Sequence, residues 1–284
     1  MGNKKDSLGD RMKENYENRN KYRLIRRVPV IIRVDGKAFH TYTRGFNRPF
    51  DRVLSNAMDR TMKSLCSSIQ GCVFGYTQSD EITIVMHDYE SLNSCAWFDN
   101  EVQKICSISA SMATAFFNQA FKDEAEKFHQ KVHFAAIEET SLKDEYFIDD
   151  IETAKKLDEK YLSRISVPAM FDARCFNIPI AEVTNCVLWR QQDATRNSIE
   201  MAGRYYFSHS ELHKKNSSNI QDMLMEKFGV NWNDYPVRYK RGCACYKRWV
   251  GEKPLGKSEW YVDYDMPIIS KNRDYIEQYI LPKE

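Results

Sequence analysis

The sequence predicts an α+β fold with a ferredoxin-like βαββαβ core, a mostly helical C-terminal part and a basic, aromatic hairpin region. Three observations carry that prediction. A β-branched run, Pro29-Val30-Ile31-Ile32-Arg33-Val34, is closed by Asp35-Gly36, the pattern of a buried strand ending in a turn. Two further short strands, Cys72–Thr77 and Glu81–Met86, are separated only by Gln78-Ser79-Asp80, a hairpin-sized connection. Helical patterns flank this pair, and a fourth strand pattern follows at 171–178 before Pro179.

Taken in order, 10–27 is polar, charged and helical in pattern, with little to bury. Leu54, Ala57, Met58, Met62, Leu65, Cys66 and Ile69 recur at three- and four-residue steps, so 52–69 is an amphipathic helix, stopped by Gly71. A long helix is expected over roughly 97–128, from Phe98, Val102, Ile105, Ser109, Met112, Ala113, Phe116 and Ala120 on one face. The stretch 129–168 reads as a charged insertion of irregular pattern, with a helix at 149–163. The succession is β-α-β-β-α-β. Residues 1–180 form the expected catalytic domain, and 181–284 a second, helical unit.

The 284 residues are 42% hydrophobic, enough for a core that needs no disulfide or metal. No run approaches the roughly 20 apolar residues of a membrane span, which predicts no membrane partner. Met1–Asp6 opens no apolar signal segment, which predicts a cytoplasmic protein. Eight cysteines without a C-x-x-C pair read as reduced, packing thiols. Net charge is +2, but it is segregated: +5 over 1–27, −6 over 138–159 and +6 over 236–257. Such segregation suits attraction of a polyanion, or a merely patchy surface. The i, i+4 pairs His129/His133 and His209/His213 lack a neighbouring glutamate and a third ligand, so they read as surface histidines. There is no Walker loop.

Chemistry concentrates at two acidic turns. Asp35-Gly36 ends the first strand, and Ser79-Asp80-Glu81 lies in the turn entering the third. In a βαββαβ sheet those strands are central neighbours, so Asp35, Asp80 and Glu81 can converge. Converging carboxylates repel one another, and hard Mg²⁺ offsets that while leaving positions for water and phosphates. Two such ions about 4 Å apart serve in-line phosphoryl displacement. Either motif alone is an ordinary turn. Arg33, Lys37, Arg48, Asp51 and Lys104 are the nearby candidates for a triphosphate and its loop.

Three blocks carry a resemblance: Arg33-x-Asp35-Gly36-x-x-Phe39-His40, Phe46-x-Arg48-Pro49-x-Asp51 and Gly75-Tyr76-x-Gln78-Ser79-Asp80-Glu81. In order and spacing they resemble the tRNA-His guanylyltransferase superfamily. The resemblance implies a polymerase-like palm that adds nucleotides to tRNA 5′ ends in the 3′→5′ direction with two Mg²⁺ ions. It implies Asp35, the Gly36 carbonyl and Asp80 as metal ligands, with Glu81 beside them as an essential catalytic acid. It further implies triphosphate contacts from Ser79, Lys104 and the backbone of Lys37, Ala38, Phe39 and His40. Arg48 and Asp51 would meet an activating or incoming ATP or GTP. A homotetramer is also implied.

One block departs from that pattern. The family carries His-Ile-Asn-Asn-Leu-Tyr-Asn after a Trp-Arg-Gln segment, whereas here Trp189-Arg190-Gln191-Gln192-Asp193 is followed by Ala194-Thr195-Arg196-Asn197-Ser198-Ile199, as in the branch that repairs 5′-truncated tRNA against a template. RNA contacts are expected from Arg190, Arg196, Asn197, Arg238, Lys240 and Arg241, the last three interleaved with Trp232, Tyr235, Tyr239, Tyr246 and Trp249. Packing on the sheet explains those aromatics nearly as well. The alternatives are a tRNA-His guanylyltransferase adding one G, a dinucleotide cyclase (disfavoured because its Gly-Gly-acid turn is absent), and an RNA-binding protein with a relict palm.

Overall fold

The computed structural model describes residues 7–138, 140–251 and 256–281; Met1–Asp6 and the tip of the basic segment at 252–255 lie outside them. Six strands form one antiparallel sheet: β1 (Val30–Gly36), β2 (Cys72–Gln78), β3 (Glu81–Met86), β4 (Phe171–Asn177), β5 (Cys243–Val250) and β6 (Lys257–Asp263). Their order is β4-β1-β3-β2-β5-β6, the ferredoxin-like 4-1-3-2 core extended at one edge by the basic hairpin. The sheet therefore takes strands from both sides of residue 180.

Strand alternation sends Val30, Ile32 and Val34 to one face and Ile31, Arg33 and Asp35 to the other. The first face packs on α1 (Arg52–Ser68) and α2 (Val102–Glu138), with α3 (Ile151–Ile165) behind them, around Met58, Met62, Phe117 and Phe121. The second packs on α4 (Ile180–Tyr206), where Ile31, Tyr76, Val85, Val183 and Val187 form a separate core. Beyond the sheet, the far half of α4 and α5 (Ser217–Phe228) enclose a third cluster around Ala202, Phe207 and Leu224. No helix among the described residues is long and apolar enough to cross a membrane.

Two expectations are corrected. The long helix starts at Val102, not 97, because Phe98, Asp99 and Asn100 all have positive φ and turn the chain. The N-terminal segment is bound there: Leu24 N donates to Asn100 O and Val102 N to Tyr22 O, both at 2.9 Å. At its other end the helix continues to Glu138, so 129–138 is no irregular insertion. Its Phe128, Val132 and Ala135 join Leu142, Tyr146, Leu157 and Tyr161 in the first core. Charge on the exposed side had masked that stripe.

Candidate active site

The register of the sheet builds the acidic centre. Asp35 stands opposite Glu81 on β3 and opposite Asp172 on β4, and directly opposed residues share a face. Gly36 N donates to the Asp80 carbonyl at 3.1 Å, which ties the end of β1 to the turn entering β3. A Cβ at Gly36 would lie 2.3 Å from the Phe39 ring, so only glycine permits this close turn. Ser79 has φ +48°, and its hydroxyl donates to Asp80 Oδ1 at 2.9 Å.

Asp35 and Asp80 are half-buried. Burial raises the Asp80 carboxyl above its usual range, the Ser79 hydrogen bond opposes this, and the Asp35 charge adds to the rise. The two carboxylates therefore feel each other. Glu81 differs. It is buried, its carboxyl raised by that burial and pulled back by Arg190 and Arg33. Arg190 Nε donates to it at 2.6 Å, and Arg33 Nε lies 4.0 Å away. Asp172 escaped the sequence reading. It pairs with Arg174 at 3.1 Å, and the 171–178 alternation in ferredoxin order was the signal that could have found it.

After Gly36, Lys37 N donates to Met170 O at 2.8 Å, and left-handed Ala38 opens a short helix, Phe39–Tyr42. Phe39 points into the core, whereas Lys37, Ala38 and His40 are exposed, leaving their backbone beside the acids. Next to the Ser79 turn lies a cleft of about 250 Å³, walled by the loop from Thr43 and the first turn of α1, by Ala194, Asn197 and Met201 of α4, and by Arg238 and Tyr239. Arg48 is exposed at its edge.

Asp51 also lines this cleft, as the buried N-cap of α1, accepting from Leu54 N at 2.8 Å, Asn47 N at 2.9 Å and Tyr161 OH at 2.5 Å; it shapes the loop. Lys104 sits in the first turn of α2, 3.7 Å from Glu101. The acid end of the sheet packs near Phe117, where Phe171 meets it. Thirteen residues of helix, about 20 Å, separate the two, so Lys104 does not reach the acids.

Of the six expected RNA contacts, Arg196 is exposed, though it donates to Asp193 Oδ1 at 2.6 Å, and Asn197 lines the cleft. Arg190, Arg238 and Lys240 turn inward. Arg238 pairs with buried Asp59 at 2.7 Å, and Lys240 donates to Asn233 O beneath the Trp232 ring. Arg241 is half-buried, its carbonyl accepting from Tyr76 OH at 2.8 Å. The physical cause is β5, which joins the sheet edge and draws the preceding segment against α4 and β2, where Arg238 reaches Asp59 of α1.

Comparison with known proteins fits this geometry. A family profile described as tRNAHis guanylyltransferase matches residues 9–179. A probable tRNA(His) guanylyltransferase of Dictyostelium discoideum is 24% identical over 242 residues, covering 81% of this chain and 79% of the relative. Among solved structures, a bacterial tRNA(His) guanylyltransferase (Thg1)-like protein in complex with ATP is 40% identical. It covers 98% of this chain and 100% of its own, with TM-score 0.78. A bacterial protein of the same description in complex with GTP is 38% identical, covers 97% and 99%, and has TM-score 0.73.

Proposed function

The chain belongs to the tRNAHis guanylyltransferase family and is a nucleotidyltransferase, and from that premise we propose that it repairs 5′-truncated tRNA by templated 3′→5′ addition. The observation that carries this reading is the Asp35–Asp80 pair, held together through Gly36 at the end of two central strands. Two neighbouring carboxylates at an open turn repel each other, and they suit a cation that also binds phosphate.

Mg²⁺ fits the donor set. Asp35, Asp80 and the Gly36 carbonyl would hold it, two half-buried carboxylates and one backbone oxygen at an open turn. Such a site leaves room for substrate oxygens. Two ions would supply charge stabilisation for in-line displacement at phosphorus. The chain's own groups orient the reactants: the exposed backbone at 37–40 and Ser79 meet triphosphate, and Arg48 with the adjoining cleft takes the activating ATP or GTP. A 5′-monophosphate must first be activated before a nucleotide 3′-hydroxyl can attack it, and the same acids serve both steps.

The repair reading over single-G addition rests on the departure at 194–199. Asp193, just before it, organises Arg190, Arg196 and Asn197, and selection falls to pairing with the opposite strand. The reading includes a homotetramer in the cytoplasm. The test supplies tRNA lacking its first nucleotide, with Mg²⁺ and each NTP. Extension should follow the base opposite the gap and change when that base changes. Addition of G whatever the opposing base, on tRNA-His alone, would replace this reading with the guanylyltransferase one.

A further inference from the structure

Arg238 and Lys240 turn inward, so two of the expected phosphate contacts are engaged within the fold. Arg204, near the end of α4, lines the nucleotide cleft and also a second cleft of about 610 Å³. His209, His213, Lys214 and Lys215 line that second cleft with exposed side chains. Glu200 is the acid among its lining residues, and Arg204 already engages it at 3.0 Å. The floor is rigid: Phe207 and Ile220 belong to the third core, and a Cβ at Gly203 would sit 2.7 Å from Ile220, so α4 and α5 pack closely.

We propose that this basic cleft holds the sugar–phosphate backbone of the RNA acceptor stem, downstream of the reacting 5′ end. The inference rests on the nucleotidyltransfer reading above and adds where the substrate lies. Continuity through Arg204 gives the path, and the excess of positive charge gives the ligand class. Distance sets the register. Arg190 touches the acidic centre, and fourteen residues of α4, about 21 Å, lead from it to Arg204. An A-form RNA duplex rises about 2.8 Å per base pair, so that is roughly seven to eight base pairs. Exposed lysine and histidine donors contact phosphates without reading bases, so the cleft should be indifferent to stem sequence.

The test uses the full chain, its Lys214→Ala/Lys215→Ala variant, and two RNA hairpin duplexes with stems of about ten and about four base pairs, each lacking its 5′ nucleotide so that a template base stands unpaired opposite the gap. Binding is titrated against salt, and extension is assayed on both duplexes. For the longer duplex the variant should flatten the slope of log K against log salt by about 1.8. Wild type should then lose about twelvefold more affinity than the variant between about 50 and 200 mM salt. Binding and extension of the shorter duplex should not change, and Lys214→Arg/Lys215→Arg should restore the slope. An unchanged slope on the longer duplex overturns the proposal, and so does equal weakening on both. A wild-type chain that extends neither duplex, nor truncated tRNA, would sink the nucleotidyltransfer reading, while the salt slope still judges the cleft.

Discussion

Arg190 Nε donates to Glu81 Oε1 at 2.6 Å, joining α4 to the first residue of β3 across 109 positions of sequence. The Trp189 ring lies beneath both cations that face this acid, 4.5 Å from the Arg190 guanidinium carbon and 5.6 Å from that of Arg33. Glu81 is thereby held by arginine, while Asp35 and Asp80 stay half-exposed beside it. The acidic trio of the sequence divides into two acids open to a cation and one that fixes α4 over the sheet.

Because both partners are buried, Arg190→Met should strand the Glu81 charge and lower stability by about 3–5 kcal/mol. The double variant Arg190→Met/Glu81→Gln should recover most of that loss, since the buried Glu81 charge is gone as well. Urea unfolding of wild type, Arg190→Met, Glu81→Gln and the double variant measures both. A single variant as stable as wild type would mean that the pair does not hold the two elements.

Asp35→Asn and Asp80→Asn should each reduce nucleotidyltransfer by about 10³-fold or more. Neither should lower the melting temperature without metal, because each removes one of two repelling charges. Mg²⁺ should raise the melting temperature of wild type and of neither variant. Thermal scans with and without Mg²⁺ check this separately from activity.

Arg238→Ala should destabilise the fold by about 3–5 kcal/mol by leaving Asp59 buried and unpaired. RNA binding by the folded fraction should keep its salt dependence, in contrast to the Lys214/Lys215 variant. A flattened slope in Arg238→Ala would show that this guanidinium does meet phosphate.

Glu124 joins α2 to α1. Burial pushes its carboxyl up, but hydrogen bonds from Lys127, Asn56 and Arg60 together outweigh that and hold it below its ordinary range. A depressed acid stabilises the fold above its unfolded value of about 4.3 and loses that contribution as pH falls through the folded one. Wild type should therefore exceed Glu124→Gln in stability at neutral pH, and the gap should close in acid below about pH 4. Urea midpoints between pH 7 and pH 3 give the curve.

Sequence alone determined the βαββαβ order, the glycine turn after Asp35 and the acidic turn at 79–81. Each is written locally: period-two alternation for strands, three- and four-residue steps for helices, and a tight connection that brings β2 back along β3. The meeting of Asp35 with Asp80 followed from that order, because the fold class itself makes β1 and β3 neighbours. Only the tertiary structure decided what each charge does. Arg238 looked like an RNA contact until Asp59, 179 positions away, was found beside it, and Arg190 until Glu81 was. Lys104 was expected at a triphosphate, and helix length places it toward the other end of the sheet from the acids. A charged side chain carries the same local signature whether it ends in water or in a buried pair. Which it does depends on the dielectric and the partner supplied by distant segments, and the burial of β5 and α4 against the sheet sets both.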